Sequence, residues 1–347
     1  ALSATELSLN KKGLSYMMSG GSFAVFGLTS GDAAHLFMAS PKARGGYVVD
    51  MGVIDGADRG VWVGVHQFSV IACANGPDGG KVVKTRLMWV TDGVQEWGFG
   101  RQGFETLAEL PGEDILDAAF DADSEQLMLL TDRRIVCVQL QTVEEEFEYK
   151  RKKYPHSKVE LQSMAAVSGG DTDAPAVSAL AQCEDGSLYV TCQGARICRL
   201  RPDAENCEPI GCELPFESGG WGWAGIGGGR FLCAGPDGKL FRLDTEADTV
   251  EPLEQVLAPP VKWIAAVASD RAYAFYGEDV GRLGRIDLES GEVTDLGAVL
   301  SVLGVKRYGN TFACAATGPD GEIYMGEDDR GGHLWLYFPP VKVEQNT

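Results

Sequence analysis

Chemistry in this chain would fall to a small set of side chains. It has four histidines, at 35, 66, 156 and 333. His35 and His333 each open an apolar stretch, His35-Leu36-Phe37-Met38 and His333-Leu334-Trp335-Leu336, with Asp32, or Asp328 and Asp329, a few residues ahead. An imidazole near a carboxylate can act as a general base or a metal ligand close to neutral pH, and Tyr308 is a candidate partner in proton transfer. Cations stand at the corresponding place elsewhere: Arg134, Arg196, Lys239 and Arg282, with Lys81 or Lys84 in a further copy. Gathered on one surface they would select a carboxylate or phosphate through charge-assisted hydrogen bonds. The plainer reading pairs each cation with an acid of its own or the next repeat, an exposed contact worth zero to about 1 kcal/mol. A third set is aromatic. Trp62, Trp221, Trp223 and Trp263 are flat platforms suited to the apolar faces of sugar rings, or else filler between layers. Trp89, Trp97 and Phe99 have the stronger expectation of exposure, because glycines flank the last two. No Walker loop, GxSxG elbow, HExxH helix motif or EF-hand loop is present.

These residues are positioned by a repeat. Residues 181–200 (AQCEDGSLYVTCQGARICRL), 224–243 (AGIGGGRFLCAGPDGKLFRL) and 315–337 (AATGPDGEIYMGEDDRGGHLWLY) share one pattern, and 265–288 and 18–38 fit it. An apolar strand leads through a tight Gly/Asp turn to a second strand. A polar turn then leads to a third strand that opens on a cation or His. Asp-Gly and Gly-Gly suit such turns because they accept positive φ cheaply. Second strands are expected near Phe23, Phe68, Leu127, Leu188, Phe231, Ala272 and Ile323, which defines seven units of about 50 residues.

A four-stranded unit with two apolar faces must stack on its neighbours, and radial closure removes the need for end caps. The chain therefore resembles an all-β, seven-bladed β-propeller of four-stranded antiparallel blades, over essentially its whole length. It departs from the WD-repeat pattern, lacking regular Gly-His and Trp-Asp pairs. Its Pro236-Asp237-Gly238 and Pro319-Asp320-Gly321-Glu322-Ile323-Tyr324 turns are similar to those of regucalcin, NHL or quinoprotein-type propellers. The expected organisation is a single domain, 1–347, with blades near 10–54, 55–110, 111–167, 175–215, 219–257, 259–300 and 305–345. Either the C-terminal tail or Glu6-Leu7-Ser8-Leu9 would complete the last blade.

Composition narrows the partners. With 30 Lys+Arg against 50 Asp+Glu the net charge is −20, which repels nucleic acid. No apolar run approaches the roughly 18 residues of a membrane span, so a soluble protein without a membrane partner is expected. Nine cysteines, an odd number and mostly inside apolar stretches, read as buried thiols in the cytoplasm, with a secreted or periplasmic mature chain as the alternative. Cysteine spacing indicates no metal site and no cofactor is called for, although a propeller channel has room for a divalent ion. The sharpest charge reversal is Glu144-Glu145-Glu146-Phe147-Glu148 followed by Lys150-Arg151-Lys152-Lys153, a solvated charged hairpin or a docking loop. Two functional readings follow. The first is a scaffold binding an anionic small molecule, an oligosaccharide or a peptide or protein partner at the mouth of the ring. The second is a carbohydrate-active enzyme, a lyase or hydrolase on an acidic sugar, with His35, His333 and Tyr308 moving protons and Arg282 or Arg196 neutralising the carboxylate.

Overall fold

The computed structural model describes residues 13–19, 24–40, 47–67, 69–86, 103–149, 152–169, 180–182, 186–192, 196–201, 204, 206–216, 222–268, 270–278, 280–300, 308–309, 311–318, 320–328 and 332–340. The short apolar runs form strands that pair with their successors. The first run joins β1 (Gly13–Ser19), β2 (Val25–Ser30), β3 (His35–Ser40) and β4 (Tyr47–Val53), each antiparallel to the next. The second joins β5 (Arg59–His66), β6 (Ser69–Gly76), β7 (Gly79–Arg86) and β8 (Glu105–Pro111). The third comprises β9 (Ile115–Asp121), β10 (Gln126–Thr131), β11 (Ile135–Tyr149) and β12 (Lys152–Gly169). It is followed by β13 (Leu180–Gln182), β14 (Leu188–Cys192), β15 (Arg196–Leu200) and β16 (Asn206–Glu213). Then come β17 (Gly222–Gly227), β18 (Arg230–Ala234), β19 (Lys239–Asp244) and β20 (Thr249–Val256). The next meander is β21 (Val261–Ala268), β22 (Arg271–Tyr276), β23 (Arg282–Asp287) and β24 (Val293–Ala298). The last described strands are β25 (Phe312–Thr317), β26 (Ile323–Glu327) and β27 (Leu334–Tyr337).

By hydrogen bonding these strands make five sheets, two of eight strands, two of four and one of three. The two large sheets are pairs of meanders held together at one point each. Ser30 pairs with Arg59 between β2 and β5, and the long β12 reaches β16 at Ser168–Asn206 and Gly169–Cys207. Sheet membership therefore differs from the expected one sheet per repeat. Both proposed closing segments of the last meander, Glu6–Leu9 and the tail after Pro340, lie outside the described residues, as do Trp89, Trp97 and Phe99.

First strands lie inward. β5 neighbours β1 and β9, β9 neighbours β13, and β21 neighbours β17 and β25, while β25 in turn neighbours β1. Between successive meanders lies an apolar layer, because residues of a strand alternate between two faces and both are covered. Phe26, Leu36, Val63 and Val70 fill the first layer, and Ile71, Val82, Leu127 and Val138 the second. Met128, Leu130, Leu188 and Val190 form the next, followed by Tyr189 and Ile197 against Phe231 and Phe241. Leu232 and Leu240 pack on Ala272 and Ile286, and Phe275 on Phe312 and Ile323. A last layer joins the two ends of the fold, with Met17, Val25 and Phe37 against Cys314 and Tyr324. Each buried large side chain contributes about 1.5–3 kcal/mol. The turns behave as their residues require. Gly238 has φ +82°, and a Cβ there would sit 1.9 Å from the Leu257 carbonyl oxygen, so only glycine fits.

Candidate functional site

The third strands open, as the repeat implies, on His35, Arg196, Lys239 and Arg282, while Arg134 and His333 stand one residue ahead of β11 and β27. Adjacent fourth strands and turns bring carboxylates to most of these positions. The His35 ring, 5% exposed, has Nδ1 3.0 Å from Asp50 on β4, and its backbone N–H donates to Thr29 Oγ1 at 2.9 Å. Burial opposes ionisation of Asp50, but hydrogen bonds from His35 and the Gly52 N–H outweigh it and hold the carboxyl below its ordinary value. His333 Nδ1 lies 3.1 Å from Glu327, whose carboxylate is fully buried at the end of β26. The two imidazoles belong to meanders that pack together, yet each turns Nδ1 to a carboxylate of its own meander.

The cations follow the same rule. Arg134 grips Glu113 with Nε at 3.1 Å and Nη2 at 2.7 Å. Lys239 Nζ is 2.7 Å from Asp237 in the preceding turn, and its hydrogen bond holds that carboxyl down. Arg282 donates through Nε and Nη2 to Asp295 on β24 and lowers its pKa in the same way. Lys81 donates to the Asp55 carbonyl at 2.6 Å. The Arg196 side chain and all of Trp221 lie outside the described residues.

The aromatic candidates separate by burial. Trp62 is buried in the layer between the second and third meanders. Trp263 is buried too and stacks on Phe275, with centroids 6.1 Å apart and planes at 17°. Trp223 is half-buried against Phe231. Tyr308 is 49% exposed and bridges to Leu300. Three of these therefore pack within layers or against them, and Tyr308 alone of the described set offers its ring to solvent. Among the described residues no group of three or more His, Cys, Asp or Glu could hold a metal ion.

Two junctions between meanders go beyond the repeat, the second through Lys84, one of the candidate cations. His66 Nε2 lies 2.9 Å from Glu125, which also accepts the Thr142 N–H at 2.9 Å and the Thr142 hydroxyl. Glu125 sits at φ +54°, a left-handed conformation that costs a non-glycine residue about 1–2 kcal/mol. Burial works against its ionisation, but hydrogen bonds from Thr142 and His66 prevail and its pKa is lowered. Lys84, 3% exposed, donates to the Val159 carbonyl and pairs with Glu105 at 3.2 Å. Thr142 and Val159 are cross-strand partners, so the two contacts clamp one rung of the β11–β12 hairpin from the second meander.

No family model matches the chain, and no curated protein is similar to it in sequence. Solved structures are similar in fold. YCF48 bound to D1 peptide is similar with a TM-score of 0.60 over 96% of this chain and 94% of that one, at 13% identity. The C-terminal WD40 domain of Sif2 is similar with a TM-score of 0.57 over 96% of this chain and 97% of that one, at 9% identity. With the strand order above, these likenesses define a β-propeller of four-stranded antiparallel blades. No helix among the described residues is long and apolar enough to cross a membrane.

Proposed function

We propose that this chain is a seven-bladed propeller, with blade limits as expected from the repeat and without WD-repeat chemistry, that works as a protein-binding scaffold. The blade count is supported by seven apolar layers among the described residues, one of which joins the first meander to β25 and β26. The scaffold reading is carried by the internal pairing of the candidate side chains. An anionic sugar or phosphate would have to displace Asp295 from Arg282, Glu113 from Arg134 and Asp237 from Lys239. A catalytic base at His35 or His333 would likewise leave a carboxylate. A peptide or protein surface needs none of those groups to be free, because it binds by area and shape with a few anchors. YCF48, a propeller solved with a peptide, supports the class of partner. Tyr308 is the proposed contact residue among those described, and Arg196 and Trp221 are proposed with it from the sequence.

The test pairs two measurements. The purified chain is screened for thermal shift against acidic and neutral oligosaccharides, sugar phosphates and divalent ions, since a specific ligand stabilises by mass action. It is also used as bait, and any captured protein is purified and titrated by calorimetry. A reconstituted protein complex with no small-molecule shift is expected. A saturable shift with an acidic sugar, abolished by Arg282→Ala or His333→Ala in a folded variant, overturns the scaffold reading in favour of a sugar site.

A further inference from the structure

The outer edge of β12 is open along a stretch that its neighbours leave free. β12 pairs with β11 from Val167 opposite Ile135 to Leu161 opposite Leu140, and β11 is backed in turn by β10 over Ile135–Gln139. On its other side β16 meets it only at Ser168 and Gly169. Toward the hairpin end, the Val159 carbonyl is taken by Lys84. Between those two points, among the described residues, no strand pairs with the outer edge of β12. Residues 161–166 are all exposed. Such an edge presents a row of unpaired N–H and C=O groups, a template for another strand.

The other fourth strands are protected against that pairing. Pro209 interrupts β16 and Pro252 interrupts β20, each among glutamates, and proline lacks the N–H that an added strand would use. β8 carries Glu109 and ends on Pro111, and β24 carries Asp295 beside a bulge. β4 has only Val53 exposed among its described side chains. Charge, proline and bulges are the usual guards of an edge. The stretch Leu161-Gln162-Ser163-Met164-Ala165-Ala166-Val167 has no charged residue and no proline. Its one irregularity is the extra residue Gln162 near one end, and from Ser163 to Val167 the register is unbroken.

Cross-strand partners share a face. Leu161, Met164 and Ala166 stand opposite Leu140, Val138 and Val136, which are buried in the layer between the second and third meanders. Leu161 is 38% and Met164 44% exposed, so that apolar layer reaches the surface along this row. Ser163 and Ala165, opposite Gln139 and Cys137, line the other face with small side chains.

Resting on the scaffold reading above, we propose that this edge receives an extended, uncharged segment of the partner protein as an added strand. Main-chain hydrogen bonds supply the affinity, and alternate apolar side chains beside Leu161, Met164 and Ala166 set the register. The edge is competent to pair, since β16 already occupies its continuation at Ser168 and Gly169. Charge selects the occupant: the stretch is neutral, whereas a second copy would bring a further net charge of −20 against the first. Size agrees. Seven residues make an edge about 24 Å by about 10 Å, or about 240 Å², against about 800 Å² per partner in a stable interface. A rigid second ring meeting this edge alone falls short, while a flexible segment can also cover the two flanking faces.

The probe is a fluorescein-labelled peptide of alternating Val and Ser, titrated by anisotropy against the full chain. Saturable binding is expected, equal at low and high salt, and weaker by about tenfold or more in Met164→Lys/Ala166→Lys. Val256→Lys, on β20, should bind as the parent does, and the same peptide with proline at its two central positions should not bind. Hydrogen exchange should slow at residues 161–167 in the complex. Urea midpoints confirm that all variants fold. No binding, equal binding of the proline peptide, or protection that spares residues 161–167 overturns the proposal. Self-association of the chain in sedimentation, lost in Met164→Lys/Ala166→Lys, overturns it in favour of a second copy. If a purified partner binds the parent and Met164→Lys/Ala166→Lys equally, the edge is eliminated while the scaffold reading stands.

Discussion

Lys84 and Val159 stand 75 residues apart in sequence, and the buried ammonium of the first donates to the backbone carbonyl of the second. The bond ties β7 to β12, so that the second meander holds the β11–β12 hairpin of the third. Lys84→Met keeps most of the stem volume but leaves a buried carbonyl without its donor. The expected loss is about 1–3 kcal/mol in urea unfolding, with faster proteolysis in the β11–β12 hairpin. An unchanged midpoint together with an unchanged digestion pattern would remove Lys84 from this role.

Acid should destabilise the protein through Asp50 and Glu125. Both carboxyls are lowered in the folded state by hydrogen bonds that overcome burial. A lowered folded pKa contributes stability that is present above the unfolded value, about 3.9 for Asp and 4.3 for Glu, and lost as pH falls through the folded value. Urea midpoints measured from pH 7 downward should therefore drop below about pH 4.5. Asp50→Asn and Glu125→Gln should each lower stability at pH 7 and flatten that acid limb. A parent-like acid limb in both variants would assign the pH dependence to other carboxylates.

The parts of this fold that were legible in the sequence are the local ones. β2, β6, β10, β14, β18, β22 and β26 begin at Val25, Ser69, Gln126, Leu188, Arg230, Arg271 and Ile323, each within two residues of the start expected from the apolar runs. Turn glycine and apolar alternation act over a few residues, so they can be read from a chain. The merging of meanders through Ser30–Arg59 depends on how neighbours meet in space. So does the His66–Glu125 junction, whose residues are 59 apart and lie in different meanders. The β11–β12 hairpin was visible only as a charge reversal, because Glu and Lys carry no alternation of hydropathy and its register continues from the pairs at its base, Leu140 with Leu161 and Thr142 with Val159. The candidate cations were found by their repeat position. Which acid each one meets followed from the sheet, since Asp295 reaches Arg282 only across β23–β24.

Arg282 separates a ligand site from surface architecture. Its partner Asp295 is exposed, as is the guanidinium itself, and such pairs add little to folding. Arg282→Ala should leave the thermal midpoint close to that of the parent and leave partner binding intact. Loss of partner affinity in a folded Arg282→Ala chain would instead place the partner on this part of the ring.

Trp263 can be assigned by two substitutions. Its ring stacks on Phe275 inside the layer between the last two meanders, and its indole N–H is buried without a hydrogen-bond partner. Trp263→Ala should cost about 3–5 kcal/mol, as large-to-small changes of buried aromatics do. Trp263→Phe keeps the stacking and removes the unpaired donor, so it should fall within about 1.5 kcal/mol of the parent. Calorimetric unfolding distinguishes the two, and a Trp263→Phe chain that is stable but deficient in partner binding would make the indole N–H a contact after all.

Base should act through thiols. Cys73, Cys233 and Cys314 are buried in three different layers, and burial is the largest cause of their raised pKa. Cys207 is pushed up to about 12 for the same reason, with Cys198 nearby. A raised folded pKa gives stability that is full below the unfolded value, about 8.5, and is lost as pH rises through the folded one. The protein should therefore weaken progressively above about pH 8.5. Since the thiolate is the reactive form, alkylation of Cys73, Cys233 and Cys314 in native buffer should proceed only as fast as the chain unfolds. The half-buried Cys212 should label ahead of them. Peptide-resolved mass spectrometry over a labelling time course reads both rates. Prompt alkylation of Cys233 at neutral pH, with the fold intact, would mean that the layer between the fourth and fifth meanders opens far more readily than its packing implies.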